Sequence, residues 1–214
     1  MTTRILLLTG MTPDTRIFSR LLPLLPNATI VPWITPRRNE SIPNYAERLA
    51  DSLTIAGEVI VCGVSFGGIV ARELALRLNA KACVLISSVR DSQQLPPWFR
   101  AFRGLSRLPL EPLFSAVGTV ASLAPATLRT ASTARLKKFH GQAGSWHRWA
   151  SSAVLRWQPS LSIDAIPLTQ IHGDQDLTFP IRYIQPDRVI TGGGHVLPLT
   201  HPKEVAAIIS QLAS

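Results

Sequence analysis

Acidic side chains are scarce in this chain, with 13 Asp and Glu against 22 Lys and Arg. Cysteine is limited to Cys62 and Cys83, and no apolar run reaches the roughly 18 to 20 residues that a membrane-spanning helix requires. Each shortage excludes a class of protein. Two cysteines, each within a different apolar run, cannot supply the disulfide framework of a small secreted domain, and they read as small buried side chains. The first apolar run, Ile5 to Leu8, is too short for a secretory leader and reads as a strand. The expectation is a cytoplasmic protein without a transmembrane segment. His140 and His147 have no cysteine or carboxylate at ligand spacing, so no metal and no cofactor is expected.

At 214 residues and 46% hydrophobic, the chain can bury one sizeable core. Its net charge of +9 is unevenly placed: residues 90–160 hold ten Arg or Lys against only Asp91 and Glu111. Such a surface can steer an acidic partner or an anionic substrate, and it can equally be a solvated face in an arginine-rich composition. No nucleic-acid recognition motif accompanies the charge, so nucleic acid is not an expected partner.

Short apolar runs alternate with helical spacing along most of the chain. Strands are expected at Arg4 to Leu8, Thr29 to Trp33, Glu58 to Cys62, Ala82 to Ser87, Leu168 to His172 and Arg188 to Thr191. Helices are expected at about Asp14 to Leu22, with Thr12 as N-cap before Pro13, and at Asn44 to Leu53, Gly68 to Leu78 and Pro202 to Leu212. This alternation implies an α/β protein with a parallel sheet covered by helices on both faces. The stretch from Ser92 to about Pro159 breaks the rhythm with five prolines up to Pro125, no convincing strand and many aromatics, and reads as several short helices. At the carboxyl edge of a parallel sheet it would roof a cleft, with Trp98, Phe102, Trp146 and Trp149 as candidate substrate contacts. The same rings serve equally well as the insertion's own core.

Three segments carry chemistry. Gly63-Val64-Ser65-Phe66-Gly67 lies between an apolar strand and a helix, a context in which a sharp turn holds the serine hydroxyl in the open. Gly173-Asp174-Gln175-Asp176 follows the fifth strand and puts a carboxylate at its carboxyl end. Gly192-Gly193-Gly194-His195 follows the sixth and lets an imidazole approach other backbone. A serine is a poor nucleophile without a base, and the base works best when a buried carboxylate fixes its tautomer. Serine, acid and histidine, each just after a strand and in that order, fit this need.

At these residues the chain resembles the α/β-hydrolase family over nearly its whole length. The resemblance implies a reduced α/β-hydrolase fold, lacking the early antiparallel hairpin, with six parallel strands ordered 2-1-3-4-5-6 and a helical cap insertion. The core would occupy residues 1–91 and 161–214, and the cap 92–160. It implies Ser65 as nucleophile, His195 as general base and Asp176 as the orienting acid; Asp174 is the competitor, and Asp176 is preferred because the family usually places the acid three residues after Gly173. The backbone N–H groups of Met11 and Phe66 would form the oxyanion hole. Thr9-Gly10 stands where relatives often carry His-Gly. His172 reads as a packed structural histidine, and Asp14 with Arg16 as an ion pair or helix-start charges.

The expected activity is that of a cofactor-independent serine esterase working through an acyl-enzyme on a small-molecule ester. A thioesterase or methyl-ester esterase that docks an acidic acyl carrier, and a non-catalytic ligand-binding protein on the same fold, are the alternatives.

Overall fold

The computed structural model describes residues 3–97, 99, 133–160 and 165–213. Six apolar runs form strands: β1 (Arg4–Leu8), β2 (Ala28–Ile30), β3 (Val59–Val64), β4 (Ala82–Ile86), β5 (Leu168–Gly173) and β6 (Arg188–Ile190). They pair in one wholly parallel sheet of order 2-1-3-4-5-6, as expected. The helices are α1 (Ile42–Asp51), α2 (Phe66–Arg77), α3 (Thr133–Arg156), α4 (Leu197–Thr200) and α5 (Pro202–Ala213).

Side chains alternate across a strand, so the central strands are apolar throughout and feed two separate cores. Ile5, Leu7, Ile60, Cys62, Val84 and Ile86 face Val205 and Ile209 of α5. Leu6, Leu8, Val61, Cys83 and Leu85 face α1 and α2 through Tyr45, Leu49, Ile69 and Leu74. Cys62 and Cys83 are free and buried on opposite faces of the sheet, and burial pushes the Cys83 thiol up to about 12.

Two local expectations are corrected. The segment from Asp14 to Leu22 is not an α-helix but a pair of 3-10 turns, Thr15–Phe18 and Leu22–Leu24. Asp14, not Thr12, is its cap: the carboxylate accepts from Arg16 N–H at 3.0 Å and also pairs with the Arg16 guanidinium. Pro23, lacking an N–H, cannot continue an α-helical ladder from this short start. Of the stretch expected to hold several short helices, residues 100–132 lie outside the described residues, and residues 133–156 form the single 24-residue helix α3. Its Trp146 and Trp149 pack into the core formed by Trp33, Tyr45 and Phe66, so these two rings belong to the common interior.

The chain after α3 is fastened to α2 by buried charge. Glu73, 2% exposed, accepts from Arg72 at 2.8 Å, from the Trp157 indole at 3.1 Å, and from the Ser160 hydroxyl at 2.5 Å. Arg72 in turn donates to the Ser160 carbonyl at 3.1 Å and lies over the Trp157 ring. A buried pair of this kind is costly to break from one side, because the remaining charge is stranded. Glu73→Ala is expected to lose about 3 to 5 kcal/mol of stability in urea unfolding, and a loss below about 1 kcal/mol would show that Arg72 finds other compensation.

Candidate active site

β3 ends at Val64 and α2 begins at Phe66, so Ser65 alone must turn the chain from strand to helix. It does so at φ 54° and ψ −124°, a conformation that costs a non-glycine residue about 1 to 3 kcal/mol. Three hydrogen bonds hold it there. Ser65 N–H donates to the Ile86 carbonyl at 3.0 Å, and the Ser65 carbonyl accepts from Gly68 N–H at 2.9 Å and from the Ser88 hydroxyl at 2.6 Å. A Cβ on Gly63 would lie 2.1 Å from the Gly67 carbonyl oxygen, and one on Gly67 would lie 2.0 Å from the Thr9 carbonyl oxygen. Both positions therefore require glycine, and the second shows how closely the elbow meets the turn after β1.

That turn is pinned from two sides. The Trp33 indole donates to the Thr9 hydroxyl at 2.7 Å, and the Trp146 indole donates to the Met11 carbonyl at 2.7 Å. Phe66 is the first residue of α2, so its N–H has no acceptor within the helix. Among the described residues, neither the Phe66 nor the Met11 N–H donates to another backbone group.

β5 delivers the acid and the loop after β6 the histidine. Asp176 is 2% exposed, and its Oδ1 accepts from the N–H groups of Thr178 at 2.8 Å and Phe179 at 3.0 Å. Its Oδ2 lies 2.8 Å from Nδ1 of His195. Burial acts to raise the Asp176 pKa, but the hydrogen bond and charge of His195, with Phe179 N–H and nearby His172, outweigh it and hold the carboxyl below its ordinary value. The ionised carboxylate can only accept, so the His195 proton sits on Nδ1 and leaves Nε2 as the basic atom. The Phe179 ring packs edge-on against His195, with centroids 5.7 Å apart.

Asp174, the competing acid, is exposed and caps Gly192 N–H at 2.8 Å. His195 is thus joined to Asp176. Among the described residues, no hydrogen bond joins the Ser65 hydroxyl to His195, although both project from the carboxyl edge of the same parallel sheet. Trp146 and Trp149 are buried, and the Trp149 indole is spent on the Glu40 carbonyl at 2.9 Å. Trp98 and Phe102 lie outside the described residues. Among the described residues, no group of three His, Cys, Asp or Glu is arranged to hold a metal ion, and no helix is long and apolar enough to cross a membrane.

Sequence reasoning gave no part in this site to Trp33, Ser88 or His172. Trp33 stood at the carboxyl end of an expected strand, a signal for proximity to the site; nothing in the sequence tied Ser88 to the elbow. His172 is wholly buried, with Nε2 2.7 Å from the Phe179 carbonyl and 3.4 Å from Asp176 Oδ2. A carbonyl accepts only, so Nε2 carries the proton.

Burial lowers the His172 pKa below the ordinary 6.5, against the raising effects of Asp176 and the Phe179 carbonyl. Below pH 6.5 the unfolded chain then binds the proton more readily than the folded one, so stability is full above that pH and falls as the medium acidifies toward the folded value. The urea midpoint is expected to drop between about pH 7 and 5, and His172→Gln is expected to flatten that slope; an unchanged slope in the variant would remove His172 as its source.

The sequence matches the model of the alpha/beta hydrolase family over residues 6–208. No curated protein matches it significantly. Among solved structures, a thermophilic esterase from Thermogutta terrifontis superposes with a TM-score of 0.65 at 17% identity, covering 100% of this chain and 91% of that one. A lipase-esterase related protein from Clostridium acetobutylicum gives 0.63 at 16% identity, covering 98% and 94%. ClbQ from the colibactin NRPS/PKS pathway gives 0.58 at 14% identity, covering 99% and 97%. These identities speak for the fold, and the family match spans nearly the whole sequence: the chain belongs to the alpha/beta hydrolase family.

Proposed function

We propose that this protein is a serine hydrolase that cleaves a carboxylic ester through an acyl-enzyme, with Ser65 as nucleophile, His195 as general base and Asp176 as the orienting acid. The observation that carries this reading is the 2.8 Å bond from His195 Nδ1 to a buried carboxylate, which leaves Nε2 outside that bond at the same sheet edge as the strained Ser65 elbow. In the proposed reaction Ser65 Oγ attacks the carbonyl carbon while its proton passes to His195 Nε2. The oxyanion accepts from the N–H groups of Met11 and Phe66. The carbon–oxygen bond to the alcohol breaks as His195 returns the proton to the leaving oxygen, and water repeats the sequence to free the acid and Ser65. Catalytic hydrogen bonds of this kind are often long or poorly aligned without substrate and tighten in the substrate complex.

In a screen of p-nitrophenyl esters of increasing chain length, Ser65→Ala and His195→Ala are expected to lose about 10⁴-fold to 10⁶-fold in kcat, and Asp176→Asn about 10⁴-fold. Asp174→Asn should stay close to wild type. Greater damage from Asp174→Asn would transfer the acid role to it. A fluorophosphonate should label wild type and spare Ser65→Ala; folded wild type that resists both the probe and every ester would instead be a ligand-binding protein.

The positive charge of residues 90–160 supports a second reading, in which the acyl group arrives on an acidic carrier and the enzyme is a thioesterase or methyl-ester esterase. The structural neighbour ClbQ belongs to an NRPS/PKS pathway. Turnover of a carrier-linked substrate should then weaken steeply as salt rises, while a free ester is little affected; equal salt response of the two would remove the carrier.

A further inference from the structure

The turn that carries Met11 has no regular secondary structure, and such a segment holds its peptide planes only as well as its side-chain partners do. Two contacts with α3 meet at this residue. The Trp146 indole N–H donates to the Met11 carbonyl at 2.7 Å, and the Ser151 hydroxyl lies 3.8 Å from the Met11 sulfur. Trp146 is itself fixed, 2% exposed and packed among Trp33, Tyr45, Phe66 and Trp149 with ring centroids 5.0 to 6.2 Å away. Its donor is therefore aimed by rigid packing at the carbonyl of the same residue that carries the N–H, across one Cα in the next peptide unit.

We propose that Trp146 is a positioning residue for Met11, whose backbone it holds at the carbonyl, so that the insertion helix α3 sets the geometry of the neighbouring oxyanion donor without contributing an atom to the reaction. This rests on the hydrolase reading above for its catalytic consequence, and on the hydrogen bond alone for its structural one. An oxyanion donor acts by standing ready where charge develops, and displacement by a fraction of an ångström forfeits part of its effect. Losing the anchor should therefore lower kcat by less than losing the donor itself, and should leave ground-state binding nearly untouched.

The test is Trp146→Phe, which keeps an aromatic ring and deletes the N–H, compared with Trp157→Phe, which deletes the buried indole bond to Glu73 away from the turn. Three readouts separate positioning from general damage: kcat and KM on p-nitrophenyl butyrate, affinity for butylboronic acid as a tetrahedral mimic, and amide hydrogen exchange of the segment spanning residues 9–13. Trp146→Phe is expected to lose about 10-fold to 100-fold in kcat at nearly constant KM, to bind the boronate correspondingly more weakly, and to exchange faster across the turn. Trp157→Phe should lose stability while all three readouts stay near wild type. Wild-type values for Trp146→Phe, or equal loss of kcat in both variants, would overturn the proposal. Should wild type itself prove folded but inert toward esters and fluorophosphonate, the hydrolase reading fails on its own, and exchange across the turn still decides whether Trp146 holds it.

Discussion

A strand that becomes a helix within one residue has to place that residue at positive φ, and here the residue is a serine. The turn closes only because Gly63 and Gly67 leave no Cβ in the path of neighbouring carbonyl oxygens. From this constraint much else follows. α2 starts at once, its first N–H without an acceptor inside the helix; the turn after β1 is drawn against the elbow at Gly67; and Ser88, beyond β4, joins Gly68 N–H in holding the Ser65 carbonyl. Backbone strain is tolerated because β3 lies between β1 and β4 and is buried along its length, so the neighbouring structure over-determines the turn.

The parallel sheet does the rest of the gathering. With every strand running the same way, the segments after β1, β3, β5 and β6 all leave from one edge, however far apart they stand in the chain. Asp176 and His195 meet across adjacent strands β5 and β6, in a pocket where burial would by itself favour a neutral acid. The partner imidazole, with the Phe179 N–H and nearby His172, reverses that tendency, which keeps the carboxylate charged and the histidine proton on Nδ1. The same edge receives α3, whose indoles are used as hydrogen-bond donors to backbone carbonyls rather than as exposed rings.

The repeating architecture and the order of the chemistry are legible in the residues alone. Short continuous apolar runs such as those within Arg4–Leu8 and Val59–Val64, buried along nearly their whole length, are a local property, and so are the glycines flanking Ser65; both can be read without knowing what lies nearby. The 3-10 turns at Thr15–Phe18 and Leu22–Leu24 were misread because their apolar spacing is helical, while proline and the Asp14 carboxylate decide against a continuous helix. The family resemblance favoured Asp176 over Asp174, two residues apart in one turn, but the physical difference between them belongs to the tertiary structure. The first faces inward to His195 and the second outward to a backbone N–H, and that difference depends on how the turn seats against the loop after β6. Likewise Trp33 and Trp146 are 113 positions apart and become neighbours around Thr9 and Met11 through packing alone. Periodicity reports which side of an element is apolar; it carries no information about which distant donor a buried indole will find, because that is fixed by the packing of whole elements.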